Sequence, residues 1–179
     1  APGSIVIANH PSLLDVVLLK SAIGHGVIIV KPIYYFHPLL GPLAWCCGYI
    51  RGGASLARGM KVIREAVDRV REGHTIILFP EGTRSPSAEK LGRFHRGAFR
   101  IAEEAPAPLA PLWIECRPRM LGKGQGLRSV PARGNVHLDA FKLWEEKSQI
   151  VVTNARSAAS DWEQRYNSIL ADGGMTRCT

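Results

Sequence analysis

The sequence predicts an α/β fold in which helices cover a central sheet, on three observations. Short apolar runs alternate with helical patterns from end to end, four of those runs are continuously apolar as buried strands tend to be, and no internal repeat interrupts the alternation. A length of 179 residues suits a single domain, residues 1–179, because two cores drawn from this total would each be small. With 46% apolar and 21% charged residues, the chain has the composition of a globular domain able to bury one core.

Strands are expected at residues 4–8, 27–31, 75–79, 109–116 and 135–141, the first four being the continuously apolar runs. The strongest helix covers residues 55–72. There Leu56, Met60, Ile63, Val67 and Val70 recur at three and four residues, while Arg58, Arg64, Glu65, Asp68 and Arg69 fall on the other side. Gly73 supplies its stop. A second helix follows at 97–105, and a third places Trp162, Tyr166, Ile169 and Leu170 on one face before Gly173.

Lys and Arg total 23 against 15 acidic residues, and the formal charge of +8 favours polyanionic partners: nucleic acid, anionic lipid or phosphorylated ligands. No recognisable nucleic-acid fold or interleaved aromatic pattern accompanies the charge, so no nucleic-acid partner is expected. Residues 117–134 form a basic loop with Arg117, Arg119, Lys123, Arg128 and Arg133 and no acidic residue; a solvated excursion and a contact with phosphates or an acidic carrier both fit. Cys46, Cys47, Cys116 and Cys178 lack CxxC or zinc spacing, which gives free thiols in a reducing compartment and no metal.

No run approaches the roughly 20 apolar residues that span a bilayer, and the first residues lack the features of a signal peptide. The chain opens almost directly on a strand-like run, so an upstream anchoring segment is expected to be absent from it. Residues 38–50, PLLGPLAWCCGYI, fit either a buried helix and strand or a lip that dips into a leaflet, with Leu40, Trp45 and Tyr49 at the boundary.

Residues 9–15 read Asn-His-Pro-Ser-Leu-Leu-Asp, between the first strand and an apolar helix that runs towards Ala22. On a continuous helix, positions five apart lie about 140° apart around the axis, so His10 can meet Asp15 only from outside the helix. Pro11 favours this arrangement: it pushes His10 into extended backbone and is itself comfortable in a first helical turn. Near a helix N-terminus, Asp15 is expected to stay ionised. A carboxylate on one ring N–H fixes the imidazole tautomer, leaves the other nitrogen as a proton acceptor and stabilises the imidazolium. With no GxSxG elbow in the chain, an acceptor hydroxyl on the substrate would be the nucleophile. Taken alone, the pair is more simply read as a capped helix start.

Residues 79–85, Phe-Pro-Glu-Gly-Thr-Arg-Ser, follow the third strand. Gly82 lets backbone approach a ligand, Thr83 and Ser85 offer hydroxyls, and Arg84 offers a fork for phosphate oxygens. The segment reads as a phosphate cradle. Glu81 is an anion in an anion site, suited to holding Arg84, a loop amide or a substrate hydroxyl. A surface pair between Glu81 and Arg84 is the plain alternative.

With both motifs present, residues 4–141 resemble the lysophospholipid and glycerolphosphate acyltransferase family, whose signatures are NHxxxxD and FPEGTRS. That resemblance implies an αβα sandwich with a mixed, largely parallel sheet and with both motifs over one end of it. It also implies His10 and Asp15 as the catalytic pair, and Glu81, Gly82, Thr83 and Arg84 binding an acceptor such as 1-acylglycerol-3-phosphate. Acyl-CoA or acyl-carrier protein would be the donor, with no cofactor, at the cytoplasmic face of the cell membrane, or in the cytoplasm without an anchor. In the family a Phe-Ile-Asp-Arg-like segment precedes the long helix, whereas this chain reads Gly48-Tyr49-Ile50-Arg51-Gly52. An ungapped match puts Arg51, a further substrate-binding candidate, on the acidic position. Ala110-Pro111-Leu112-Trp113 stands in for an apolar-Val-Pro-Val block. Residues 31–42 and 93–97 resemble members that accompany polyketide or aryl-polyene lipid synthesis, which implies a non-glycerolipid acceptor and a carrier-protein donor. A non-catalytic basic lipid-binding module, and a hydrolase in which water replaces the hydroxyl, are the rival classes.

Overall fold

The computed structural model describes residues 3–38, 41–53, 55–105, 107–132, 137–143 and 150–174. Six strands, β1 (Ile5–Ala8), β2 (Val27–Val30), β3 (Ile50–Arg51), β4 (Ile76–Leu78), β5 (Leu109–Arg117) and β6 (His137–Lys142), form one sheet in the order β3-β2-β4-β1-β5-β6. The first five run parallel, and β6 is antiparallel to β5, with Trp113 opposite Phe141. Around them lie α1 (Asp15–Ile23), α2 (Pro32–Tyr35), α3 (Gly41–Cys46), α4 (Leu56–Arg71), α5 (Arg96–Glu104) and α6 (Ala155–Ala171).

Alternation along the strands divides the core in two. Ile5, Ile7, Ile76, Leu78, Leu109 and Trp113 meet α4, α5 and α6, while Val6, Ala8, Ile28, Ile77 and Ile114 join Leu19 of α1 on the opposite face. The molecule is therefore an αβα sandwich, and burial on both faces is why the strands read as apolar runs. Each fully buried Ile of the central strands contributes about 1.5–3 kcal/mol by leaving water.

Helix α4 begins as expected, with Ser55 Oγ accepting from the Arg58 amide, and ends before Gly73 at φ +92°. Its buried face differs from the expected one. Val62, Ala66, Val67 and Val70 are buried and Ile63 is partly so, but Leu56 is 86% exposed and Met60 is also exposed. The first turn thus stays outside the core, and the buried face begins at Val62. Helix α5 starts at Arg96 and buries Ala98, Phe99, Ile101 and Ala102. Helix α6 is capped by the Asn154 side chain, which accepts from the amides of Arg156 and Ser157.

Tyr166 pins α6 to the sheet: fully buried, it donates its hydroxyl to the carbonyls of Leu112 (2.8 Å) and Ile7 (3.1 Å), bridging β5 and β1. Burial pushes its hydroxyl well above the usual tyrosine range.

Residues 38–50 do contain a helix and a strand, yet only part of the segment is buried. Gly41, Ala44 and Ile50 are covered, whereas Leu43 and Trp45 are exposed, as are Ile33 and Phe36 of the α2 segment before them. Leu40 lies outside the described residues, as do Cys178, Arg133 and the first two residues expected of the last strand. Among the described residues no helix is long and apolar enough to cross a membrane, and Cys46, Cys47 and Cys116 are free thiols.

Candidate active site

Strand β1 delivers the first motif. Asn9 is buried, and its side-chain amide clamps Ile114 in β5, donating Nδ2–H to the carbonyl (2.9 Å) and accepting the amide on Oδ1 (2.7 Å). The side chain thus continues the β1–β5 ladder while the main chain leaves the sheet at His10. Sequence reasoning gave Asn9 no role; its signal was an amide side chain at the end of a buried strand, where only a paired amide is tolerated.

Residues 11–14 form a bend, and α1 begins at Asp15 itself. Pro11 therefore lies before the helix, not in its first turn as expected. The bend folds Asp15 back on its own entry: Oδ2 accepts the Ser12 amide at 2.9 Å and the His10 ring at Nδ1, also at 2.9 Å. An ionised Asp15 can only accept, which assigns the proton to Nδ1 and leaves Nε2 with a free lone pair. The His10 side chain is 13% exposed and Asp15 fully buried. Burial pushes the Asp15 carboxyl above its ordinary range, opposed by the His10 bond, the Ser12 amide and the nearby charges of His10 and Arg119. The helix-terminus argument for a low value is thus outweighed by desolvation. The other oxygen, Oδ1, is buried without a hydrogen-bond partner among the described residues.

Beyond β4, Phe79 stacks on the His10 ring, with centroids 4.1 Å apart and planes inclined by 19°. Glu81 is buried and, among the described residues, makes no hydrogen bond or ion pair with Arg84. Oε1 accepts the His10 amide (3.0 Å) and the Ser85 hydroxyl (2.7 Å), and Oε2 accepts the Gly92 amide (2.6 Å). Of the roles expected for it, Glu81 takes that of amide holder, and it binds the two motifs to each other. The Ser85 amide returns a bond to the His10 carbonyl at 2.8 Å. Ser85 is buried with its hydroxyl engaged, so the cradle expected from its side chain is not formed; Thr83 is half-buried. Gly82 has φ +63°, a left-handed conformation, and a Cβ there would sit 3.2 Å from the His95 ring.

Arg84 points its Nη1 at two main-chain carbonyls, Leu121 (2.8 Å) and Gly122 (2.9 Å), and its Nη2 and Nε make no hydrogen bond among the described residues. The basic loop is thus not a free excursion. Leu121 also accepts the Leu13 amide (3.2 Å), and Arg119 donates to the Ser85 carbonyl. Arg117 pairs with Glu115 at 2.8 Å, while Lys123 and Arg128 are exposed.

Arg51 stands apart from this group. It closes β3 on the same face as Phe79, two strands and roughly 10 Å away by strand spacing, with its guanidinium 5.2 Å from the centre of the Phe36 ring.

Residues 1–115 match the acyltransferase family. The chain is 25% identical over 163 residues to a chloroplastic 1-acyl-sn-glycerol-3-phosphate acyltransferase of Brassica napus, covering 88% of this chain and 45% of that protein. To a 1-acyl-sn-glycerol-3-phosphate acyltransferase of Cocos nucifera it is 32% identical over 152 residues, covering 80% of this chain and 48% of the relative. It thus spans about half the length of these relatives. In structure it is similar to the 1-acyl-sn-glycerophosphate acyltransferase PlsC of Thermotoga maritima, with a TM-score of 0.67 at 23% identity over 96% of this chain and 66% of that one.

Proposed function

Since the chain belongs to the acyltransferase family, we propose that it transfers a fatty acyl group from a thioester, acyl-CoA or acyl-carrier protein, to the hydroxyl of a lysophospholipid such as 1-acylglycerol-3-phosphate. The observation that carries this reading is the 2.9 Å bond from His10 Nδ1 to the buried Asp15, which leaves Nε2 basic beside a loop carrying Arg84. As the acceptor oxygen attacks the thioester carbonyl, its proton passes to His10 Nε2, and the new C–O bond gives a tetrahedral adduct. Asp15 stabilises the imidazolium so formed. Collapse of the adduct breaks the C–S bond, and the departing thiolate takes the proton back from His10. Base catalysis of this kind accounts for roughly 10²- to 10⁴-fold in rate, and holding the two substrates together supplies the rest.

Arg84 is the residue assigned to the acceptor phosphate. Its Nη1 is fixed on the Leu121 and Gly122 carbonyls, which aims the fork and leaves its remaining donors for phosphate oxygens. Gly82 and Thr83 bring backbone and a hydroxyl alongside. Glu81 shapes this site without binding substrate, and Arg51 belongs to the same face at a greater distance. The exposed Ile33, Phe36, Leu43 and Trp45 of the α2–α3 segment support peripheral contact with the leaflet from which a lipid acceptor enters.

The test is a product assay by mass with labelled acyl-CoA or acyl-carrier protein and candidate acceptors. A diacyl product from 1-acylglycerol-3-phosphate is expected, and free fatty acid as sole product would favour hydrolysis. Arg84→Ala should raise KM for the phosphorylated acceptor about 10-fold or more, one lost charge-assisted contact. Equal loss on an acceptor without phosphate would contradict the assignment.

A further inference from the structure

We propose that Arg119 is a positioning residue for the His10–Asp15 pair, locking the 79–85 loop onto the segment that carries His10 and presenting a positive charge to the buried carboxylate. The inference rests on the general-base reading above.

The connection is short. Arg119 Nη2 donates to the Ser85 carbonyl, the Ser85 amide donates to the His10 carbonyl at 2.8 Å, and the Ser85 hydroxyl and His10 amide share Glu81 Oε1. Two residues further on, Leu121 adopts φ +50°, a conformation uncommon for a side chain of this size. Its carbonyl accepts both the Leu13 amide and Arg84 Nη1, so one strained residue ties the loop to both motifs at once.

The charge is as informative as the bonds. Arg117 has an ion-pair partner in Glu115, whereas Arg119 makes no ion pair among the described residues, and its Nε is buried without a hydrogen-bond partner. A loop that needed only a tether at Ser85 would be served by a neutral donor. The guanidinium, brought to the His10 segment through the Ser85 carbonyl, is also the smallest of the influences that favour the ionised form of the Asp15 carboxyl. The charged groups bonded to the segments that carry the pair, or to their direct partners, are Arg119 after β5 and Glu81 and Arg84 after β4. On α1 itself Lys20 is turned to the Gly26 carbonyl. Arg119 also borders a cleft of about 640 Å³ with Asn9, Pro11, Ser85 and Arg117, so a substrate-binding role is the competing possibility.

The experiment measures kcat, KM for donor and acceptor, and the pH profile of kcat/KM for Arg119→Gln and Arg119→Lys, with His10→Ala alongside. Arg119→Gln should lower kcat about 10- to 100-fold with both KM values within about twofold of native. Its acid limb should move to higher pH, because removing a cation lets both members of the pair hold protons more tightly. Arg119→Lys should keep the native acid limb while recovering only part of kcat; should the Gln variant fail to fold, this result alone carries the test. A raised KM with an unmoved acid limb would make Arg119 a substrate ligand, and a lysine variant no better than the glutamine one would make it a mere tether; either overturns the proposal. Surviving transfer in His10→Ala would instead remove the general-base reading itself.

Discussion

Asp15 is fully buried, and among the described residues only its Oδ2 accepts hydrogen bonds, from the His10 ring and the Ser12 amide. Burial raises its folded-state pKa, so the folded protein binds this proton more tightly than the unfolded chain does. The sign follows: the ionised carboxyl opposes folding at neutral pH, and that penalty fades as pH falls through the folded pKa towards the unfolded value. Asp15→Asn should therefore melt no lower than the native protein, with a larger advantage at about pH 7.5 than at about pH 4.5, although its transfer rate falls by roughly 10²-fold or more. A melting temperature several degrees below native at neutral pH would contradict this account. His10 and Asp15 were legible in the sequence because proline and spacing force a bend between them. Asn9 and Arg119 were not, since their partners, Ile114 and Ser85, are 105 and 34 residues distant and no local pattern encodes such a pairing.

Among the elements, the 79–85 loop is held by one carboxylate. Glu81 accepts three bonds from His10, Ser85 and Gly92, and it comes within 3.0 Å of where a Gly92 side chain would begin. Glu81→Gln places an amide NH₂ against at least one of these donors, so it should destabilise the fold by about 1–3 kcal/mol and lower kcat with it. Urea unfolding and initial rates measure both; unchanged stability would mean that the loop is held by other contacts. Tyr166→Phe, which removes the donor serving Ile7 and Leu112, should cost about 1 kcal/mol, or about 2–4 °C in melting temperature for a chain of this length. Strands β1, β2, β4 and β5 were readable because burial on both faces leaves an apolar run, whereas β6 is largely exposed. Strand β3 has only two residues, α2 has four and α3 six, too short for any periodicity to register. The first turn of α4 misled for a different reason, since helical spacing cannot tell a buried apolar position from an exposed one such as Leu56.

For the whole molecule, the net charge of +8 and the exposed Ile33, Phe36, Leu43 and Trp45 together suit an anionic lipid surface. Flotation with phosphatidylglycerol vesicles should capture the native chain, and Phe36→Glu with Trp45→Glu should release it; equal flotation would remove this face from membrane contact. Composition made the charge legible, whereas residues 38–50 also read as a buried helix and strand, because hydrophobicity alone does not say which side of a surface it lies on. The order of strands was likewise inaccessible from sequence, yet it is the adjacency of β1 and β4 that brings His10 beside Phe79 and Glu81. The claim on which all this depends is that His10 takes the proton from the acceptor hydroxyl. Its most direct test is the initial rate of acyl transfer by His10→Ala, with the fold verified by melting. A fall of roughly 10²- to 10⁴-fold with KM little changed is expected; undiminished transfer would contradict the mechanism.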